Sequence, residues 1–389
     1  MTLAPYYVDL HIHIGRDKDN KPVKITGSKT LTLTNVLKES SRNKGIDMVG
    51  IIDCHVPSVQ DEIENLISKG EAVPLEEGGI KFEKVTLLLG CEIEIYDENC
   101  HGPIHVLCFL PTLSQMKEFT SWLSDRMTNI NLSSQRIYGT AKELQYKVKQ
   151  LEGLFIPAHV FTPFKSLYGK GVKQSLTEVL DPDLIDAIEL GLSADTKMAD
   201  CLSELHSYTY VTNSDAHSLA KIAREYQKIQ MNTPSFKELE WALHGIEGRQ
   251  VLENFGLNPL LGKYHVTVCK ECLTPKKEKR VCDNCDSNKV IKGVSDRIAE
   301  LANGTKTATN RPRYTNQVPL DYIPTLGPKT FEKLLSNFGT EMNIIHNVSK
   351  SELKNVVSEQ IASSIIAMRE GSLNLTPGGG GKYGKVGKS

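Results

Sequence analysis

The chain opens on a strict alternation of apolar and polar residues. In YVDLHIHI, residues 7–14, Val8, Leu10, Ile12 and Ile14 interleave with Asp9, His11 and His13. A period of two places the two sets on opposite faces of a β-strand. One face is ordinary core; the other carries two imidazoles and a carboxylate, which are costly to bury unless something binds them. A metal cation is the natural binder. From residue 6 to about 255, short apolar runs alternate with longer polar segments of helical period. The runs include MVGIID, VTLLLGCEIEI, IHVLCFL, LFIPAHVF, AIELGL and YTYVTNSDAH. Between them lies TNVLKESSRNKG, with Thr34 expected as N-cap and Gly45 as stop. TLSQMKEFTSWLSDRMTNI and TAKELQYKVKQL also carry a helical period. This alternation predicts parallel strands, in an open sheet or a barrel.

Four further runs repeat the opening motif at their ends. GIIDCH carries Asp53 and His55, GCEIEI carries Glu92 and Glu94, IPAHVF ends on His159, and TNSDAH carries Asp215 and His217. His105 begins another run in GPIHVL. Taken singly, a histidine on an apolar strand is more often a hydrogen-bonded core residue, and Asp53 or Glu92 a plain strand-end carboxylate. Together they have no ordinary packing rationale, because C-terminal strand ends of parallel α/β folds converge on one face. Imidazole with carboxylate suits Zn²⁺, Mn²⁺ or Fe ions, and shared carboxylates suit more than one ion. Asp9 and Asp53 are expected to orient ligand imidazoles.

These motifs, in this order, resemble the polymerase-and-histidinol-phosphatase (PHP) superfamily of metal-dependent phosphoesterases over about residues 6–250. The resemblance implies an α/β fold, a distorted (β/α)7 PHP barrel holding two or three divalent metals (Zn, Mn, Mg or Fe). It implies His11, His13, His55, Glu92, His105, His159, Asp215 and His217 as their ligands. Glu92, His159, Asp215 and His217 would serve catalysis directly, through a metal-activated hydroxide that attacks a phosphate ester. Where the family often has one more histidine, this chain reads GRDKDN, and Asp17 is the candidate substitute.

Beyond residue 262 the composition changes. Residues 263–389 hold 20 Lys and Arg against 12 Asp and Glu, a balance of +8, while residues 1–262 hold 26 against 35, a balance of −9. A basic region on an acidic, metal-collecting body suits a polyanionic partner. Two Cys-x-x-Cys pairs, Cys269 with Cys272 and Cys282 with Cys285, stand nine residues apart and predict one structural Zn²⁺. Lys276, Lys277 and Arg280 lie between them, where they would meet phosphates. The other five cysteines are scattered, so no disulfide is expected. The expected units are 1–262, the barrel; 263–294, the zinc-binding hairpin; 295–318, a linker whose Arg311 and Arg313 are expected to contact DNA; 319–371, a helical domain; and 372–389, a Gly/Lys-rich tail. IPTLGPKTFEKLLSNFG resembles the helix-hairpin-helix of DNA repair nucleases, which implies backbone-phosphate contacts from Gly327, Lys329 and Thr330.

Metal phosphoesterase, zinc hairpin and C-terminal helical (helix-hairpin-helix-like) domain in this order resemble the endonuclease Q family over nearly the whole chain. That resemblance implies a DNA endonuclease cutting 5′ to a deaminated base (uracil, hypoxanthine or xanthine) or an abasic site in double-stranded DNA. Reading such a base requires flipping it out of the duplex. The loop FTPFKSLYGKG is the expected base pocket. Phe161, Phe164 and Tyr168 would stack there, Ser166 would read a base carbonyl, and Lys165 and Lys170 would hold phosphates. Repair or replication proteins are further expected partners, the chain is expected to be a monomer, and its location the cytoplasm (nucleoid-associated). No run of about 18 apolar residues predicts a membrane span, and MTLAPYYVDL lacks the features of a secretory signal. A small-molecule phosphatase would leave the zinc hairpin and the +8 region without a role. A DNA 3′–5′ exonuclease would use the same metal ligands at a strand end. A non-catalytic DNA-binding scaffold is opposed by the near-complete ligand set.

Overall fold

The structure is a computed structural model that describes residues 2–275, 281–303, 311–373, 375, 376, 378 and 384–386. The opening alternation forms strand β1 (Ala4–Ile12). Its N-terminal half pairs antiparallel with Tyr226–Met231, and its C-terminal part pairs parallel with β2 (Met48–Ile51). β2 lies parallel to β3 (Val85–Ile95), and β3 antiparallel to β4 (Ile104–Leu110). β4 in turn lies antiparallel to β5 (Leu154–Pro157). Backbone bonds then continue around. Asp186 N donates to Phe155 O and Val160 N to Glu189 O, joining β5 to β6 (Ile188–Glu189). β6 is parallel to β7 (Tyr210–Val211). Past β7, Ala216 N donates to His11 O and His13 N to Ala216 O, which returns the path to β1.

Two expectations are corrected here. The strands are not all parallel: only eight residues join β3 to β4, too few for a crossover helix, so the pair is a hairpin. The first helix, α1 (Leu33–Glu39), is capped by Thr32 rather than Thr34, because the Thr32 side chain accepts from Asn35 N. Gly45 does end this segment, at φ 75°. Flanking helices Pro57–Ser68, Leu113–Ser124 and Ala141–Gln150 bury their apolar stripes on the strands. The third carries a capping box between Thr140 and Glu143.

The described parts of the segment expected as a linker include one helix and one strand. Helix Val294–Leu301 buries Val294, Ile298 and Leu301, one apolar stripe, and Arg313–Asn316 adds a parallel strand beside Gln250–Gly256. The C-terminal helices Pro328–Phe338, Glu341–His346, Lys350–Val356 and Glu359–Arg369 dock on the sheet. There His346 stacks on Tyr7 (ring centroids 4.8 Å apart) and its Nε2 lies 2.6 Å from the Tyr226 hydroxyl. Lys44 and Glu341 form a buried ion pair at 2.5 Å across the same junction. In the tail, Leu375–Thr376 pairs with Lys385–Val386, and Gly378 N and Gly384 N donate to the carbonyls of Leu260 and Leu261. No disulfide forms among the nine cysteines, and no described helix is long and apolar enough to cross a membrane.

Candidate metal centre

The polar face of β1 turns into the ring of strands, where His11 and His13 are fully buried. Each ring is fixed through Nδ1. His11 Nδ1 lies 2.9 Å from Glu189 Oε1; His13 Nδ1 lies 3.2 Å from Asp53 Oδ2 and 3.1 Å from the Ser133 hydroxyl. With Nδ1 occupied, Nε2 is left to face inward, and the Nε2 atoms of His11, His13 and His105 have no hydrogen-bond partner. Those of His11 and His13 converge on two carboxylates, while that of His105 stands 3.6 Å from Glu94. His11 Nε2 stands 3.6 Å from Glu92 and 3.5 Å from Asp215; His13 Nε2 stands 3.7 Å and 3.5 Å from the same two. His159 Nε2 is 3.4 Å from Glu92, and His105 Nδ1 is 2.7 Å from it.

Three groups with their donor atoms within 4.8 Å of one another result: His11, His13 and Glu92; His13, Asp215 and His217; Glu92, His105 and His159. Two ligands on one tetrahedral Zn²⁺ stand about 3.4 Å apart at ordinary bond lengths. The observed spacings and the orphaned imidazole nitrogens therefore fit divalent cations, with Glu92 and His13 each shared by two groups. Electrostatics agree. Burial alone would raise the Glu92 carboxyl, yet neighbouring His105 and Lys24 hold it well below the usual carboxylate range. Burial would lower His11, but Glu189, Asp215 and Glu92 push it up to about 10. Both shifts keep the carboxylates ionised, the form in which they bind cations.

Backbone strain accompanies the site. His159 (φ 32°) and Asp215 (φ 45°) both sit in the left-handed region, where a non-glycine residue persists only if its surroundings hold it. Gly191, at φ 75°, makes room for one of them: a Cβ there would lie 2.7 Å from His159 Cβ.

Other expected residues stand elsewhere. His55 is buried beside Asp53 but belongs to none of the three groups; its Nε2 meets Leu132 O at 3.3 Å. Asp17 is corrected as a substitute ligand, since its carboxylate accepts the backbone N–H groups of Asp19 and Lys21 and closes a turn. Asp53 does orient an imidazole. Asp9 instead accepts the amides of His11, Ser214 and Ala223, and so holds backbone.

A cavity of about 520 Å³ opens beside the three groups. It is lined on one side by Glu92, His105, His159, Asp215 and His217, and on the other by Phe164, Lys165, Leu192, Ser193, Lys263 and Tyr264. Phe164 is half exposed and meets Tyr264 edge to face, with ring centroids 5.5 Å apart. Lys165 pairs with Glu94 at 2.8 Å. Phe161, Tyr168 and Ser166 are corrected as base contacts. Phe161 and Tyr168 are buried and stacked on each other, and the Tyr168 hydroxyl donates to Glu204. Ser166 is buried as the cap of the following turn, accepting from Gly169 N, while Lys170 is exposed. Only one side of a tight loop can face a cavity, and the other must pack.

Among the remaining basic residues, Arg311 is corrected as a DNA contact. Its guanidinium is spent on Asp200, Leu205 O and Tyr208 O and lies 3.7 Å over the Tyr210 ring. Arg313 is exposed, with Glu253 3.6 Å away. Gly327 is the half-buried N-cap of helix Pro328–Phe338, followed by exposed Lys329 and half-buried Thr330. Lys276, Lys277 and Arg280 lie outside the described residues. The four thiols Cys269, Cys272, Cys282 and Cys285 do meet, with Sγ···Sγ distances of 3.5 Å (Cys269–Cys285) and 3.4 Å (Cys272–Cys282). Tetrahedral zinc–thiolate bonds would set them about 3.8 Å apart.

Sequence reasoning missed Glu189, Lys24, Ser134 and Tyr264. Lys24 Nζ lies 3.3 Å from Glu92 and 2.6 Å from the Ser134 hydroxyl, which itself donates to Glu92. Glu189 lay in the apolar run AIELGL, where a lone acid was the available signal. The others lie in irregular segments without period.

Overlapping His/carboxylate groups in a mixed α/β fold form a candidate divalent-metal centre, and the endonuclease structures that match the chain make it a metal-dependent phosphodiesterase. No protein-family model matches the chain. Comparison with solved structures gives the lesion-specific endonuclease PfuEndoQ from Pyrococcus furiosus, with a TM-score of 0.85 and 32% identity over 98% of this chain and 95% of that one. Endonuclease Q in complex with a 27-mer duplex carrying an abasic lesion at its active site matches equally well, with a TM-score of 0.84 and 32% identity over 98% and 96%. Uncharacterized protein YqxK of Bacillus subtilis (strain 168) is 54% identical over 381 residues, 98% of each chain. The chain belongs to the endonuclease Q family.

Proposed function

We propose that the chain is a DNA repair endonuclease that hydrolyses the phosphodiester bond 5′ to a deaminated base (uracil, hypoxanthine or xanthine) or an abasic site. The observation that carries this reading is the cavity that runs from the three His/carboxylate groups to the Phe164–Tyr264 corner. It puts the reacting groups and two aromatic rings in one space. In this reading the strand ring is a distorted seven-stranded barrel, residues 263–294 are a zinc unit, and residues 319–371 grip the duplex through the Gly327 turn. The protein acts as a monomer in the cytoplasm, on the nucleoid.

His11, His13, Glu92, His105, His159, Asp215 and His217 would hold two or three divalent cations, which supply charge against phosphoryl oxygens and activate water near neutral pH. The chain's own residues do the positioning. Glu189 and Asp53 fix the His11 and His13 rings and keep Nε2 inward. Lys24, beside Glu92, sets a fixed positive charge on the cavity wall. Phe164 and Tyr264 offer ring faces to a flipped base, and exposed Lys165 exchanges its Glu94 partner for a flanking phosphate. The acidic body and basic C-terminal region suit a duplex that is gripped away from the centre and cut within it.

The test is incubation with Mn²⁺ or Mg²⁺ on end-labelled duplexes holding one uracil, one hypoxanthine, one abasic site or none. A nick immediately 5′ to the lesion, lost in Asp215→Ala, is expected. Equal cutting of the unmodified duplex would contradict lesion specificity.

A further inference from the structure

Among the described residues the most exposed large hydrophobic side chain is Ile25, at 71%. A single exposed isoleucine is ordinary on a protein surface. Its setting is not. Its neighbours on both sides, Lys24 and Thr26, line the cavity that holds the metal ligands, so Ile25 stands at the rim between them.

The turn that presents it is braced on the site itself. Lys24 N donates to Ile14 O at 2.8 Å, one residue past His13, and Ser28 N donates to the carbonyl of His217 at 2.8 Å. Gly27 N closes the turn onto Lys24 O at 2.9 Å. Two backbones touch beneath it: a Cβ on Gly15 would lie 2.0 Å from Ser28 O, and one on Gly27 2.8 Å from Gly15 Cα. Glycine at both positions is what lets the turn sit this close. The Lys24 side chain is tied down between Glu92 and Ser134. A stiff β-branched apolar side chain is thus held out to solvent at a fixed place by groups that also hold the ligands.

We infer that Ile25 is a wedge. It enters the base stack of a duplex as the damaged base moves into the cavity, and it fills the space that base leaves. Apolar side chains inserted at a base step unstack it and kink the duplex, and flipping carries an unstacking cost that such a contact offsets. The inference rests on the endonuclease reading above and extends it by naming the residue that opens the stack.

The experiment compares wild type, Ile25→Ala and Ile25→Leu on the same uracil-containing strand, free and annealed to its complement. For Ile25→Ala the rate on the duplex is expected to fall at least tenfold more than the rate on the single strand, where no stacked pair must open. Ile25→Leu should recover most of the duplex rate. A 2-aminopurine placed beside the uracil should brighten on binding to Asp215→Ala but not to the Asp215→Ala, Ile25→Ala double variant. Equal loss on both substrates, or brightening in both variants, would overturn the wedge while leaving the endonuclease reading intact. A wild-type chain that nicks neither substrate would instead overturn the endonuclease reading.

Discussion

His11 presents its Nδ1 to Glu189 at 2.9 Å, and so its unpartnered Nε2 faces Glu92 and Asp215. Glu189 also receives Asn213 Nδ2 and His159 N, so one buried carboxylate orients two of the ligand-bearing segments. Glu189→Gln keeps the size and one hydrogen-bond acceptor but removes the charge. Metal affinity, read by elemental analysis of dialysed protein, is expected to fall roughly 10–100-fold with the fold retained. Unchanged metal content and rate would refute the orienting role.

Gly191 tests the strain at His159. Gly191→Ala adds a methyl 2.7 Å from His159 Cβ at a φ of 75°, so the imidazole must move. The nicking rate is expected to fall by about a hundredfold, in keeping with what a 1 Å misplacement can cost. Circular dichroism should report intact secondary structure. Wild-type turnover would show that His159 has slack.

The zinc hairpin makes a separate claim. Cys282→Ser removes one of four thiolates, and one equivalent of zinc should disappear while the other metals stay. Heating curves should show an earlier loss of the hairpin, because a structural site contributes its binding energy to folding. Full zinc content in the variant would end the four-thiolate assignment.

Two buried groups predict opposite limbs of a stability–pH curve. Burial pulls His346 down to about 3 from an ordinary 6.5, so its neutral form favours the fold. That stability is present above pH 6.5 and is lost as pH falls toward 3. Burial pushes Glu225 up to about 8 from 4.5. Here the protonated form favours the fold, so stability is full below pH 4.5 and declines as pH rises toward 8. The expected melting curves lose their acid limb in His346→Phe and their alkaline limb in Glu225→Gln. Parallel curves for wild type and variants would refute both assignments.

The sequence made the ligands legible where a period carried them. Asp9, His11 and His13 alternate with aliphatic residues, and only a strand puts them on one face. Glu92, His105, His159, Asp215 and His217 sat at the ends of apolar runs, and those ends do converge. Loops were harder, because composition does not say which side of a loop faces the core. Tyr168 and Ser166 have the composition of cavity residues but pack inward, while Tyr264 reaches the cavity from a stretch with no pattern. Arg311 shows the same limit: a charge on the sequence is not a free charge once Asp200 and two carbonyls have claimed it. The antiparallel β4 was hidden because its apolar run reads alike in either direction.

The central claim is most directly measured on a covalently closed circular duplex carrying one uracil, incubated with the purified chain and Mn²⁺. The predicted result is conversion to an open circle with a single break mapped to the 5′ side of the uracil, and no conversion by Asp215→Ala. A circle that stays closed, or one that opens equally without uracil, would contradict it.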